Sequence, residues 1–299
     1  MADAARPSAW IRAMPAVFVV IWSTGFIVAR YGMPHAPPFK FLALRYVLSV
    51  TAFLFWALAA RAAWPRDRVQ LGHLAVTGIL MHAGYLGGVW AAVKTGMGAG
   101  LAALLVGLQP VLTAVWVSSR GGEVAMRQWA GLGLGLAGLV LVVWQKLGLG
   151  EVGPLNITFA GVALLAITAG TLYQKRFVAP CDVRTANLVQ LAAAFLVTLP
   201  LALLEPEAMR WVMSDGSVNG ELAGAMAWSV FGLTLGGSSL LYLLIQRGAA
   251  TSVTSLMYLV PPATALMAWV LFDEPITLLI VAGMALTAVG VSLVVRQKA

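Results

Sequence analysis

Residues 97–119 read MGAGLAALLVGLQPVLTAVWVSS, a run without a single charged side chain. A helix that crosses the hydrocarbon core of a bilayer needs about 20 consecutive, mostly apolar residues. Nine further stretches of this kind occupy most of the remaining chain. They cover, approximately, residues 13–31, 38–59, 70–93, 126–145, 155–177, 184–204, 221–245, 250–271 and 277–295. The sequence therefore predicts an all-α, polytopic membrane protein with ten transmembrane helices.

The composition agrees with a chain whose surface faces lipid. Of the 299 residues, 61% are apolar and 10% are charged, whereas a soluble domain carries about 25% charged residues. This balance excludes a soluble enzyme and a disordered chain. The single cysteine, Cys181, leaves no internal disulfide and no cysteine-based metal site. Residues 132–143 do not alternate between apolar and polar side chains, which argues against the strands of an outer-membrane barrel.

Lysine and arginine residues are distributed unevenly between the two sides of the predicted bundle. With the N-terminus placed inside, 13 of the 19 fall on the inner side and 5 on the outer side, while Arg45 lies within a span. Because cytoplasmic loops carry an excess of these residues, we expect both termini in the cytoplasm and an even number of spans. Topology accounts for the net charge of +8, so we expect no nucleic-acid partner.

Landmarks recur between the two halves of the chain. Pro110 precedes Glu123 by 13 residues, and Pro261 precedes Glu274 by 13 residues. A pair of glycines seven residues apart follows in each half: Gly131 and Gly138, then Gly283 and Gly290. These matches predict a duplication, with residues 1–150 as the first five-helix repeat and residues 151–299 as the second. An odd number of spans per copy inverts one copy relative to the other, so the fold is predicted to be a 5+5 inverted repeat.

Four segments carry a resemblance to a known family: WSTGF at 22–26, FLALRY at 41–46, AGLAALLVGLQP at 99–110 and TSVTSLMYLVP at 251–261. Together with the paired glutamates, they resemble the EamA-type branch of the drug/metabolite transporter superfamily over essentially the whole chain. The resemblance implies an inverted-repeat carrier that exports small metabolites by alternating access, amino acids and aromatic amino acids among them. It also implies a cavity surrounded by spans 1–4 and 6–9, with spans 5 and 10 outside.

Polar side chains at membrane depth are costly and therefore mark candidate functional positions. A cavity for amphipathic metabolites is expected to be mostly apolar and aromatic with a few polar anchors. The candidate walls are Trp22, Phe26, Tyr85, Trp90, Tyr173, Tyr242 and Tyr258. The candidate anchors are His82, Gln109, Ser239, Gln246 and Arg45, and His82 with Tyr85 forms the best local pair because they share a helix face. Each could instead make an interhelical hydrogen bond, as could Gln190, another polar residue within a span.

Two prolines and two glutamates are given structural or hinge roles. Pro110 and Pro261 fall near the middle of spans 4 and 9, where proline bends a helix. They are predicted to be hinges, with static kinks as the alternative. Glu123 and Glu274 begin spans 5 and 10, where a carboxylate meets the positive end of the helix dipole.

The function predicted from the sequence is that of an inner-membrane carrier that exports small amphipathic metabolites, most of all amino acids with large apolar or aromatic side chains. Efflux of organic cations or drugs is the alternative, because aromatic walls attract cations. No Asp or Glu lies in the middle of a span, so strong ion coupling is not expected. The residues GLGLAG at 133–138 spell a dinucleotide fingerprint within an apolar helix and are assigned to close helix packing. We expect no catalytic residues, no metal and no cofactor, and leave a homodimer open.

Overall fold

The computed structural model describes residues 9–121, 125–148, 150–237, 240 and 259–295. These residues are nearly all helical or in short connections, apart from an isolated bridge between Val212 and Val218. The helices are α1 (Ala9–Gly32), α2 (Pro38–Ala59), α3 (Arg68–Lys94), α4 (Ala99–Val106), α5 (Gln109–Ser119), α6 (Met126–Gly148), α7 (Pro154–Phe177), α8 (Val183–Leu204), α9 (220–237), α10 (Val260–Phe272) and α11 (Leu278–Val295).

The described helices are those of a polytopic membrane protein. Six, with α4 and α5 counted together as one span over Ala99–Trp116, are long and apolar enough to cross a bilayer, and three further apolar helices are shorter. The last part of predicted span 8 and the first part of predicted span 9 lie outside the described residues. The count of ten transmembrane helices therefore stays a prediction. One large apolar core runs through the bundle, and its largest fully buried side chains include Phe41, Tyr46, Trp90 and Leu191.

Polar caps mark where helices begin at the bundle ends. The Asp67 carboxylate accepts hydrogen bonds from the amides of Val69 and Gln70 at the start of α3. Asp182 caps α8 in the same way, and the hydrogen bonds from the Arg184 side chain hold the pKa of its carboxyl below the usual range. Such caps satisfy amide groups that the first turn of a helix leaves without partners.

Helices α6 and α11 cross at glycines. A β-carbon on Gly138 would collide with the backbone of Gly283 and lie 2.7 Å from the amide nitrogen of Thr287. A β-carbon on Gly290 would lie 2.5 Å from the carbonyl oxygen of Gly131. The second glycine of each half therefore packs against the first glycine of the other half: Gly138 against Gly283, and Gly290 against Gly131. A two-fold axis between identical surfaces produces this kind of exchange.

The other helices match between the two halves in length and in contacts. Helices α2 and α8 both have 22 residues. A β-carbon on Gly25, which lies seven residues before the last residue of α1, would be 3.7 Å from Leu233, the fourteenth residue of α9. A β-carbon on Gly170, which lies seven residues before the last residue of α7, would be 2.6 Å from Met81, the fourteenth residue of α3. The same positions therefore meet in both halves.

Predicted span 4 is broken rather than merely bent. Helix α4 ends at Val106, α5 begins at Gln109, and Pro110 is its second residue. Because proline lacks an amide hydrogen, it fits the first turn of the new helix. A β-carbon on Gly107 would lie 3.0 Å from the ring of Pro261, which is itself the second residue of α10. The two prolines thus lie near the same crossing, and whether they act as hinges stays a prediction.

The structure corrects the role predicted for Glu274. Helix α11 begins only at Leu278, and the Glu274 carboxylate instead accepts a 2.9 Å hydrogen bond from the amide of Ala99. The carboxylate does meet the positive end of a helix, but that helix is α4. Glu123, to which the same role was assigned, lies outside the described residues.

The α6–α11 crossing generates a stability prediction. We expect Gly138→Ala to lower the free energy of unfolding by about 1–3 kcal/mol, because its methyl group meets backbone atoms that cannot move aside unless the helices separate. The control is Gly133→Ala on the same helix, where nothing lies within 4 Å of the new methyl group. Thermal unfolding in detergent, followed by tryptophan fluorescence, measures both. Equal midpoints for the two variants would contradict the crossing.

Candidate functional site

Polar side chains from four helices meet inside the bundle. Arg45 and Tyr46 come from α2, His82 and Tyr85 from α3, Gln190 from α8 and Thr234 from α9. Together they form what we call the central polar cluster: Arg45, Tyr46, His82, Tyr85, Gln190 and Thr234. Charged and polar groups are expensive at membrane depth and are typical of functional sites.

Arg45 is the charged member of the cluster. Its side chain is buried, with 6% of the residue's surface exposed. Its Nε and Nη2 atoms donate hydrogen bonds of 3.3 and 3.1 Å to the hydroxyl oxygen of Thr234. The phenols of Tyr46 and Tyr85 are the nearby ionisable groups. Because phenols are neutral around pH 7, they do not neutralise the guanidinium.

His82 and Gln190 form the second polar pair. The imidazole of His82, which is half-buried, lies beside the side chain of Gln190. The Tyr46 hydroxyl donates a 2.9 Å hydrogen bond to the backbone carbonyl of His82, and the two rings lie edge to face at 6.3 Å. Tyr46 therefore ties the neighbourhood of Arg45 to that of His82.

Both polar pairs involve a π-helical turn. Residues Ile79–Gly84 within α3 and Trp228–Gly237 within α9 are π-helical. Such turns are rare and occur frequently at functional sites. They carry His82 and Thr234, each the fifteenth residue of its helix. The partners, Arg45 and Gln190, are each the eighth residue of theirs.

Sequence reasoning did not select Thr234 or Gln190 as site residues. A threonine inside an apolar helix usually bonds to its own helix, so its residue type gave no signal. The signal was positional, since Thr234 corresponds to His82 and Gln190 to Arg45 along matched helices. The correspondence becomes visible only when positions are counted from the helix beginnings that the structure shows.

The charge of Arg45 has no carboxylate opposite it among the residues that the structure describes. The ion pairs there lie near helix ends: His35–Glu221, Lys94–Glu207, Lys146–Glu151 and Arg184–Asp182. In the sequence, the undescribed residues 241–258 contain no Asp or Glu. An internal partner for Arg45 is therefore missing from the described bundle.

Three of the remaining predicted site residues pack against aromatic or apolar side chains, and four lie outside the described residues. Trp90, 1% exposed, stacks on Phe41 with ring centroids 4.4 Å apart, and Phe26 is also buried in the apolar core. Trp22 is half-buried, with its ring 5.4 Å from that of Phe18. Ser239, Tyr242, Gln246 and Tyr258 lie outside the described residues.

Two predicted site residues make contacts with other polar side chains. The Gln109 amide donates a 2.9 Å hydrogen bond to Thr171 across the α5–α7 contact. The Tyr173 hydroxyl lies 2.9 Å from Nδ1 of His73, near the end of α7. Both residues therefore bridge helices.

Trp90 allows a test of packing against cavity lining. We expect Trp90→Ala to lower the free energy of unfolding by about 3–5 kcal/mol, because the change leaves a cavity in the core. The control is Trp144→Ala, which removes a side chain from a residue that is 75% exposed on α6. Thermal midpoints in detergent compare the two. An unchanged thermal midpoint for Trp90→Ala would contradict a packing role and would support the prediction that Trp90 lines the substrate cavity.

Comparisons with known proteins agree with this arrangement. The model of the EamA-like transporter family matches twice, over residues 11–144 and 155–296. A "Probable amino-acid metabolite efflux pump" of Salmonella typhimurium is 24% identical over 276 residues, which are 91% of this chain and 90% of the relative. The protein of the same name in Escherichia coli is 23% identical over the same shares.

A third relative and a solved structure extend the comparison. The "Uncharacterized inner membrane transporter YedA" of Escherichia coli is 25% identical over 83% of this chain and 78% of its own length. A crystal structure shares the fold with a TM-score of 0.63 at 20% identity, over 94% of this chain and 95% of that one. The two matches to the family model span most of the sequence, and the chain therefore belongs to the EamA-like transporter family.

Proposed function

We propose that this protein exports small amphipathic metabolites that carry a carboxylate, above all amino acids with large apolar or aromatic side chains. Transport proceeds by alternating access through the central polar cluster. The observation that carries the proposal is the charge of Arg45, which is buried within the bundle and faces no carboxylate among the described residues.

A buried charge without a partner is unfavourable, and a ligand of opposite charge relieves that cost. Two unit charges 4 Å apart attract each other by about 4 kcal/mol at an effective dielectric constant of 20. The guanidinium also matches the geometry of a carboxylate, because two parallel N–H groups reach its two oxygens. Arg45 is therefore suited to bind the carboxylate that every amino acid carries.

The surroundings of Arg45 suit the rest of an amino acid. The ring of Tyr85 offers an apolar face to a large side chain when the bundle opens around the site, whereas Tyr46 is fully buried and supports the cluster. The Gln190 amide oxygen and a neutral His82 ring provide acceptors for an ammonium group. The relatives named amino-acid metabolite efflux pumps support the same class of substrate.

Arg45 opposes the alternative of cation or drug efflux. An organic cation in the same cavity would be repelled by a guanidinium that no carboxylate neutralises. Aromatic walls attract cations by about 0.5–2 kcal/mol, which is less than the attraction between opposite charges given above. The cluster therefore favours anionic and zwitterionic substrates.

Alternating access requires two halves that exchange positions around the site. We assign residues 1–150 and 151–299 to two inverted five-helix repeats and the complete chain to ten spans. The two matches to the family model, the equal lengths of α2 and α8 and the exchanged glycines of α6 and α11 support this assignment. A site between inverted repeats is a recurrent design in transporters.

We place the protein in a bacterial inner membrane with both termini in the cytoplasm. The distribution of Lys and Arg residues supports this orientation, and one relative is named an inner membrane transporter. Gly121 and the native Cys181 then lie in cytoplasmic loops, whereas Gly150 and Asp215 lie outside.

Substitution of Arg45 tests the proposed substrate class in proteoliposomes loaded with labelled phenylalanine. We expect Arg45→Gln to reduce transport at least about tenfold, because hydrogen bonds to a charged group contribute about 1.5–3 kcal/mol. Arg45→Lys should retain part of the activity, since it keeps the charge but loses the two-pronged geometry. The matched control is Arg30→Gln, which removes a charge that lies over Phe272 at the end of α1.

Two results would contradict this proposal. Unchanged phenylalanine transport by Arg45→Gln would place the carboxylate elsewhere. Transport of labelled organic cations in preference to phenylalanine by the unchanged protein would assign it to drug efflux.

Labelling with a membrane-impermeant thiol reagent tests the orientation. The native Cys181 should react only when the cytoplasmic face is accessible, because it lies between α7 and α8. In a Cys181→Ser background, Gly150→Cys should react only from the outside of intact cells. The reverse pattern would invert the orientation, and labelling of both from one side would contradict the number of spans between them.

A further inference from the structure

Thr234 makes a hydrogen bond with an unusual spacing. Where threonine and serine hydroxyls of the other described helices bond to a carbonyl of their own helix, that carbonyl lies three or four residues earlier, as for Thr77 with His73 and Thr168 with Leu164. Thr234 reaches five residues back and donates a 2.8 Å hydrogen bond to the carbonyl of Ser229. The difference arises from the helix type, since a π-helix brings residue i−5 beneath residue i.

This hydrogen bond fixes what the Thr234 hydroxyl offers to Arg45. A hydroxyl has one proton and two lone pairs. Because the proton points to Ser229, the lone pairs remain for Nε and Nη2 of Arg45, at 3.3 and 3.1 Å. Thr234 is then an obligatory acceptor and cannot compete with Arg45 as a donor.

The Thr234 hydroxyl contacts one edge of the Arg45 guanidinium. Nε and Nη2 lie on the side edge of the group, so Thr234 holds that edge. The end edge, formed by Nη1 and the second hydrogen of Nη2, keeps its parallel donors. Both edges of a guanidinium can bind a carboxylate in a two-pronged arrangement, and because Thr234 occupies the side edge, the end edge is the one left for the substrate.

A second observation concerns the same turn, and it is shared only by Ser49 of α2 among the described side chains. The hydroxyl of Ser229, a residue with no exposed surface, has no hydrogen-bond partner in the structure. An unpaired buried hydroxyl is unfavourable, and few are retained in native proteins. In the π-helical turn, the carbonyl of Ser229 accepts the hydrogen bond from Thr234, while the hydroxyl of Ser229 stays unpaired.

We propose that the π-helical turn Trp228–Gly237 orients Arg45 through Thr234 and thereby sets the selectivity for a carboxylate over an uncharged group. Thr234 is a positioning residue, because it acts through Arg45 and not on the substrate. This inference rests on the proposed function, in which Arg45 binds the carboxylate. It adds that the geometry of α9, and not the charge of Arg45 alone, decides which end of a substrate binds there.

The test compares phenylalanine with phenylalanine amide as inhibitors of labelled phenylalanine uptake into proteoliposomes. We expect Thr234→Val, which keeps the shape and removes the acceptor, to raise KM for phenylalanine about tenfold with little change in the maximal rate. The ratio between the inhibition constants of phenylalanine amide and phenylalanine should also become smaller in Thr234→Val. Thr234→Ser should restore both values, because serine supplies the same donor and acceptor.

Thr168→Val is the matched control, since Thr168 is buried and bonds only to the carbonyl of Leu164 in the described contacts. It should leave KM and the preference unchanged. Thr234→Ala provides a second variant should Thr234→Val fail to assemble, with the same expected result. Thermal midpoints in detergent establish that each variant is folded.

The outcomes separate this inference from the proposed function. A wild-type KM and preference in Thr234→Val or Thr234→Ala, together with loss of transport in Arg45→Gln, would overturn the role of Thr234 alone. Wild-type behaviour of Arg45→Gln as well would overturn both. An equal rise in KM and an equal loss of preference in Thr234→Ser and Thr234→Val would also overturn the inference, because the effect would then not depend on the hydroxyl.

Discussion

Every backbone amide and carbonyl inside a bilayer needs a hydrogen-bond partner from the protein itself, because hydrocarbon offers none. Regular helices meet this requirement at the lipid-facing surface, as in α6 and α7. Departures from regular helix occur where neighbouring helices surround the backbone. The π-helical turns of α3 and α9 and the break before Pro110 all lie at contacts between helices. The same constraint therefore directs irregular backbone to the interior, where it positions polar side chains.

Much of the fold could be predicted from the sequence because lipid imposes a simple rule on length and composition. The predicted stretch at 38–59 coincides with α2, and the stretch at 155–177 differs from α7 by one residue. The break at Gly107 and the π-helical turns were not predicted, because neither changes the apolar pattern of a span. Glu274 was assigned to the wrong helix, since its partner Ala99 is distant in the sequence. Arg45 was selected by its charge, whereas Thr234 gave no signal in its residue type.

Acidic side chains are confined to the ends of the described bundle, where they bind helix beginnings and lysines. Glu205, just after α8, accepts hydrogen bonds from the amides of Phe39 and Lys40 at the start of α2. Glu207 pairs with Lys94 at 2.9 Å, and the lysine and arginine side chains nearby hold the pKa of its carboxyl below the usual range. Carboxylates thus stabilise the contacts at that end of the bundle, and the interior holds a positive charge without one.

Arg45 and Gln190 occupy the same position on matched helices, yet only one of them is charged. Two separate identical subunits would place the same residue at both positions, giving either two arginines or two glutamines. Two guanidinium groups in one interior would repel each other, and two amides would attract no anion. A single chain that contains both halves escapes this restriction, because each half mutates independently. In the proposed inverted repeat, a single polypeptide thus permits a site with one charged pole and one neutral pole, an asymmetry that the proposed amino-acid substrate shares.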